Sequence, residues 1–193
     1  MGAIGGCLMF LVVLAVVAAI WAIWRYNNLV TLKNQVSNGW KQIDVQLKRR
    51  HDLIPNLVSA VKGEMQFEQD TLEKVIAARA SAVSARGVAD SAEKENALSQ
   101  TLGRLFALAE NYPNLKSNEA VKSLMEELSS TENKIGFARQ FYNDIATRFN
   151  IAQQVFPDSF IAKTFNFQPV ELFEIKDATE REVPKVDLSL KTT

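Results

Sequence analysis

The first 24 residues of the chain hold no Asp, Glu, Lys or Arg, and Arg25 is the first charged side chain. Within them, Ile4 to Ile23 is an unbroken apolar run of about 20 residues. At about 1.5 Å per residue this matches the roughly 30 Å hydrocarbon core of a bilayer. Trp21, Trp24, Arg25 and Tyr26 gather at its far end, where amphipathic rings settle at headgroup level, and they are the candidate membrane-interface residues. A cleaved signal peptide would need a basic start, a shorter apolar run and a small-x-small site before a polar mature start. None is present, so a retained, single-pass transmembrane anchor is expected over residues 1–25, with the lipid bilayer as its partner. Ile4-Gly5-Gly6-Cys7 faintly resembles a lipoprotein cleavage box, but the apolar run follows the cysteine instead of preceding it. Cys7 then reads as a small hydrophobe at lipid depth.

The flanking charge sets the expected orientation. Arg25, Lys33 and Lys41 follow the span and no basic residue precedes it, which by the positive-inside rule places the rest of the chain in the cytoplasm. Only three charges decide this, and the extracytoplasmic alternative stays open.

Composition narrows what the remainder can do. Lys+Arg 22 balances Asp+Glu 22, so no global charge argues for nucleic acid. One Cys and one His exclude a disulfide framework and a Cys- or His-rich metal site. No phosphate-binding glycine loop is present, and the only His lacks the Glu-x-x-His spacing of di-iron bundles. His51, within Lys48-Arg49-Arg50-His51-Asp52, reads as a surface or ion-paired histidine. The pairs Glu93/Glu95 and Glu126/Glu127 read as solvated helix-face charge. No catalytic, cofactor-binding or metal-binding residue is assigned, and a non-enzymatic protein is expected.

Eight Gly and five Pro suit a helical domain. From Asn27 the apolar residues recur every three to four positions. Val36, Trp40, Ile43, Leu47, Ile54, Val58, Val61 and Met65 make one stripe, resumed by Leu72, Val75 and Ile76. Pro55 should kink or interrupt it. A second stripe is Leu98, Leu102, Leu105 and Ala109, with Asp90 and Ser91 as N-cap candidates and Tyr112-Pro113 as its end. A third places Val121, Leu128, Ile135, Tyr142, Phe149 and Phe156 every seventh residue, in a coiled-coil-like heptad broken only at Thr131. Asn118 caps its start and Pro157 ends it. The expected architecture is all-α: a transmembrane helix followed by an elongated up-and-down antiparallel bundle of the four-helix type over 26–157. A Phe- and Pro-containing extension over 158–193 should pack on it. Eight of the eleven Phe lie beyond residue 136. A docking surface for a partner or lipid competes there with a satellite core at the bundle end, which is preferred.

Residues 25–50 carry Arg25, Lys33, Lys41, Lys48, Arg49 and Arg50 against Asp44 alone. Lipid attraction fades within a Debye length of about 8 Å, so the Lys48–Arg50 cluster must be met by protein. If the third stripe runs antiparallel to the first, Glu132 and Arg50 both stand roughly 35 Å above the membrane, at about 1.5 Å per residue. The candidate structural polar layer is therefore Arg49, Arg50, Asp52, Glu132 and Asn133, with Glu132 meeting Arg49 or Arg50.

Several blocks stand out: Tyr26-Asn27-Asn28-Leu29-Val30, Gln42-Ile43-Asp44-Val45-Gln46-Leu47-Lys48-Arg49-Arg50 and Asp52-Leu53-Ile54-Pro55-Asn56-Leu57-Val58. Later come Tyr112-Pro113, Thr131-Glu132-Asn133-Lys134-Ile135, Ala138-Arg139-Gln140, Phe156-Pro157, Phe167-x-Pro169 and Val183-Pro184-Lys185-Val186. Together they resemble the LemA family of bacterial membrane proteins. Gly136 departs from a usual Ala, and Asp158-Ser159 from a commoner Ser-Asn. The resemblance implies a short anchor, a helical bundle and a bacterial inner-membrane location, and it carries no activity. The expected function is a non-enzymatic, membrane-anchored scaffold or adaptor that forms a homo-oligomer or holds a protein partner. The alternatives are a membrane-organising or lipid-remodelling protein, or an accessory subunit of a membrane protease or envelope-stress system.

Overall fold

The computed structural model describes residues 2–65 and 68–174, with the main chain alone for 2–5 and 7. All regular structure among them is helical: α1 (Gly2–Val61), α2 (Gln69–Val83), α3 (Val88–Ala109), α4 (Pro113–Ser117), α5 (Glu119–Gln154) and α6 (Asp158–Thr164). The expected all-α, up-and-down antiparallel bundle is the observed architecture. The sequence positions of Cys7 and of 175–193 fall outside the described side chains.

Helix α1 runs 60 residues without a break, about 90 Å at 1.5 Å per residue. Along residues 8–20 it stands clear of the bundle: Leu8, Phe10, Leu14, Val17 and Ile20 are all more than half exposed. From Tyr26 upward the same helix becomes the spine of the bundle. α5 lies antiparallel along it, with Gly39 against the backbone and ring of Tyr142 and Arg49 bonded to Glu127. α2 descends beside the upper part of α1, α3 climbs back, and α4 turns the chain over into α5. Asn114 to Glu64 and Tyr112 to Glu68 tie that upper turn to the connection between α1 and α2. Asn118 caps α5 by accepting from the amides of Ala120 (3.0 Å) and Val121 (3.3 Å). Asp90 and Ser91 do not cap α3, which starts two residues earlier with Gly87 (φ 83°) at the N-cap.

The buried apolar residues fall into two clusters. The upper one joins Ile54, Leu57 and Val61 of α1, with Met65 just beyond its end, to Val75, Leu98, Leu105, Val121 and Leu128. The lower one joins Leu29, Val36, Ile43 and Leu47 to Ile135, Tyr142, Ala146, Phe149, Ile161 and Phe173. The heptad of α5 supplies both, but its last expected member, Phe156, is 88% exposed. The helix ends at Gln154 and Val155 turns to extended backbone, so Phe156 leaves the stripe.

Pro55 neither ends nor interrupts α1. Its missing N–H would leave the carbonyl four residues earlier, that of His51, without a helical donor. Arg79 of α2 fills that vacancy, its Nε donating to the His51 oxygen at 2.6 Å.

Residues 167–174 return up the bundle as an extended strip held by α5. Asn143 and Asn150 each pair with the main chain through both amide atoms. Asn150 receives the Val170 amide at 2.9 Å and donates to its carbonyl at 2.9 Å. Asn143 does the same for Phe173 at 2.8 and 3.2 Å. Two asparagines a heptad apart stand on one helix face about 10.5 Å apart, and three extended residues span about 10 Å, so the registers match. Tyr142 donates to the Glu171 carbonyl at 2.7 Å. Burial, then the Glu171 carboxylate, push its phenol above the ordinary tyrosine value, which keeps the proton for that bond. Phe173 beds against Trp40, and Phe167 against Phe149 and Tyr26.

Replacing Asn143 and Asn150 together with Ala should release this strip without melting the bundle, costing about 1 kcal/mol per asparagine. Hydrogen exchange at Val170 and Phe173 should accelerate while helical circular dichroism stays constant.

Candidate functional site

Between the two apolar clusters lies one charged layer, and Arg50 is its centre. Its position on α1, between Leu47 and Ile54, continues the buried stripe, so the guanidinium is carried into the core, where the residue is 1% exposed. Glu95 of α3 and Glu132 of α5 both take hydrogen bonds from it. Ser99 of α3 joins them, accepting from Arg50 at 2.8 Å and donating to Glu132 at 3.0 Å. Nε of Arg50 is buried and has no hydrogen-bond partner among the described residues. His51, the next residue, approaches Glu95 Oε1 with Nε2 at 2.7 Å. An ionised carboxylate only accepts, so Nε2 carries the proton.

Glu95 therefore bridges Arg50 and His51 on opposite oxygens, and it is 4% exposed. Burial pushes its carboxyl up, but the His51 hydrogen bond and the Arg50 and His51 charges together outweigh that and hold it below the ordinary glutamate value. Its reading as solvated helix-face charge is overturned. The spacing Ala92, Glu95, Leu98, Leu102 puts it on the buried face of α3, a period that could have flagged it. His51 is correspondingly ion-paired and mostly buried, not a surface residue.

The remaining candidates separate. Arg49 does not enter the layer; it points outward to Glu127 at 2.5 Å, with both side chains over a third exposed. Asp52 and Asn133 are exposed and make no bond into the layer among the described residues. Thr131, the one polar heptad member, is 1% exposed and satisfies its hydroxyl on the Glu127 carbonyl at 2.8 Å. Of the five candidate layer residues the structure brings Arg50 and Glu132 together; Glu95, Ser99 and His51 complete the set.

His51 and Glu95 open onto a surface cleft with Lys48, Asp52, Arg79 and Ser91. A His–carboxylate pair can orient a proton acceptor, but no described hydroxyl or thiol reaches the ring. The nearby Ser91 hydroxyl is committed to the Gly87 carbonyl at 2.7 Å. Among the described residues no group of three His, Cys, Asp or Glu stands in position to hold a metal ion.

At the other end of the spine the interface candidates form their own cluster. The Arg25 guanidinium lies over the rings of Trp24 (4.9 Å) and Trp21 (5.7 Å). It pairs with Asp158 of α6 at 3.3 Å. Tyr26 stacks on Phe165 with centroids 4.6 Å apart. Arg25 and the end of the apolar run thus touch the bundle, through Asp158 and through Ala22 against the lower core.

Residues 39–188 match the model of the LemA family. The chain belongs to the LemA family. Protein LemA of Metamycoplasma hominis is 27% identical over 184 residues, covering 94% of this chain and 82% of that protein. Magnetosome protein MamQ 2 of Paramagnetospirillum magneticum is 27% identical over 180 residues, covering 80% of this chain. Magnetosome protein MamQ of Magnetospirillum gryphiswaldense is 26% identical over a span of the same size. The chain spans 66% of the length of these magnetosome proteins. The matched region of this LemA-family chain contains the whole Arg50 layer and both clamp asparagines.

Two outcomes follow for the layer. Arg50→Ala should cost about 3–5 kcal/mol in a denaturant melt, because it takes the guanidinium from the buried Glu95 carboxylate and leaves it His51 alone. Glu95 binds its proton less readily folded than unfolded, so its contribution is complete above the ordinary glutamate range and is lost as pH falls through the folded-state value. Unfolding followed against pH should show an acid limb that Glu95→Gln flattens. Separately, Arg79→Ala should cost about 1–3 kcal/mol by orphaning the His51 carbonyl.

Proposed function

We propose that this LemA-family chain is a non-enzymatic, membrane-anchored scaffold that holds a partner-binding face at a fixed height above a bilayer. The single observation that carries this reading is the continuity of α1, which serves both as the apolar span and as the spine of the bundle. No linker separates anchor from bundle, so the side walls keep a set height and orientation. Arg25 to Val61 is about 36 residues, or roughly 54 Å of reach.

One wall is covered by α3 and the clamped C-terminal strip. The opposite wall, between α1 and α5, is open and lined by Val45, Gln46, Phe137, Ala138 and Phe141, with Lys41 and Lys134 beside them. Val45 is 62% and Phe137 74% exposed, an apolar surface that a purely soluble rod has no use for. The Gln46 side-chain oxygen is buried there without a partner, a polar atom that a docked chain would satisfy. The scaffold reading takes this wall as the docking face, with a second copy as its occupant. Magnetosome proteins among the relatives are compatible with a role at a membrane.

The test is cysteine crosslinking in membranes. With Cys7→Ser as background, Phe137→Cys should form a disulfide-linked dimer of the full chain under mild oxidation, and Glu119→Cys, far up α5, should not. A monomer at both positions overturns the second copy as occupant; a crosslink to another protein at Phe137 alone keeps the scaffold and replaces the copy.

A further inference from the structure

We propose that the base of the bundle is a lipid-binding foot, in which Phe156, Phe160 and Phe165 enter the headgroup–acyl boundary of the leaflet that holds Trp21 and Trp24. The proposal goes beyond the scaffold role and rests on the apolar helix spanning a bilayer, which its experiment tests separately.

The first argument is height. Asp158 is bound to Arg25, and Arg25 lies over Trp21 and Trp24. Phe165 stacks on Tyr26. Ala22, within the apolar run, packs against the lower core, and Trp21 is partly buried. The whole of α6 therefore sits beside residues 21–26, the level at which an apolar span of this length emerges from the hydrocarbon.

The second is orientation. The two ends of α6 meet neighbouring α1 residues: Asp158 meets Arg25, and Phe165, just past its last turn, meets Tyr26. A helix of seven residues, about 10 Å long, with both ends at one height crosses α1 instead of running along it. It lies flat with respect to a membrane that α1 pierces. Asp158, Ile161 and Ala162 face the bundle and are buried. The outward side carries Phe160, 71% exposed, flanked by Phe156 at 88% and Phe165 at 56%.

The third is charge. Carboxylates are the groups an anionic bilayer surface repels, and the one carboxylate of α6 is Asp158, which is 5% exposed and neutralised by Arg25. Lys163, exposed in the last turn, is the charge that α6 leaves for lipid phosphates. A flat helix with aromatic residues out and a lysine at the rim has the pattern of an interfacial anchor. Phe137 and Phe141 are also exposed, but they stand roughly 22–28 Å higher on α5 at about 1.5 Å per residue, beyond reach of the acyl boundary.

The experiment uses the full chain with Cys7→Ser, carrying one nitroxide-labelled cysteine at a time, in vesicles of phosphatidylcholine and phosphatidylglycerol. Collision with oxygen, which concentrates in lipid, is compared with collision with a water-soluble nickel chelate. Val12→Cys reports the span and Glu119→Cys, exposed far up α5, a water-exposed position. Phe156→Cys and Phe160→Cys should be oxygen-accessible and nickel-protected, at a depth close to that of Trp24→Cys, with Glu119→Cys nickel-accessible. If both foot positions match Glu119→Cys while Val12→Cys is lipid-buried, the foot is overturned and the anchor stands. If Val12→Cys is also nickel-accessible, the anchor reading fails and the foot fails with it. Shielding from both reagents, with dipolar broadening between labels, assigns the surface to a second copy and overturns the lipid proposal. Because each labelled site is exposed, unchanged helical circular dichroism should accompany every variant.

Discussion

One guanidinium organises this molecule. Arg50 occupies a position that the helical period of α1 assigns to the core, and a charge there is tolerable only if its partners arrive from other helices. Glu95 comes from α3 and Glu132 from α5, so the three longest elements must be in register before the charge is satisfied. A one-turn slip of α5 would still set apolar side chains against apolar side chains but would leave the layer unpaired. Apolar heptads make an elongated bundle cohere; the layer tells its helices where to stop sliding. This is the same logic by which a single polar core position sets register in coiled coils.

The layer also explains why the core is divided. Ile54 and its neighbours above, and Leu47 and its neighbours below, never merge into one apolar column. The upper block is a four-helix bundle. The lower block is built on α1 and α5, with the foot of α3 reaching it through Val88 and Ala92, and its remaining walls are supplied by α6 and the clamped strip. The strip is held chiefly through its main chain, by Asn143 and Asn150, with Phe167 and Phe173 filling the remaining space.

Much of this was legible in the sequence because it rests on periodicity. The apolar span, the stripes on α1, α3 and α5, the Asn118 cap and the antiparallel level of Arg50 and Glu132 all follow from 3.6-residue geometry and chain length. What escaped is tertiary. Glu95 reads in one dimension as half of a charged pair with Glu93, whereas its phase on α3 matches Ala92 and Leu98. Phe156 obeyed the heptad but lay two residues past the helix end. Pro55 looked like a break because the donor that rescues His51 comes from Arg79, 28 residues away. The asparagine clamp has no one-dimensional signature, since its ligand is backbone.

The unbroken α1 has a mechanical consequence. Helices in bilayers tilt to match their apolar length to the hydrocarbon thickness, commonly by about 20°. Where anchor and spine are one rod, tilt is not absorbed at a joint. A change of about 10° at the bilayer swings a point roughly 54 Å up the spine sideways by about 9 Å. With α1 spanning a bilayer as proposed, bilayer thickness is thereby converted into lateral displacement of the bundle tip, and the chain works as a lever whose long arm lies outside the membrane.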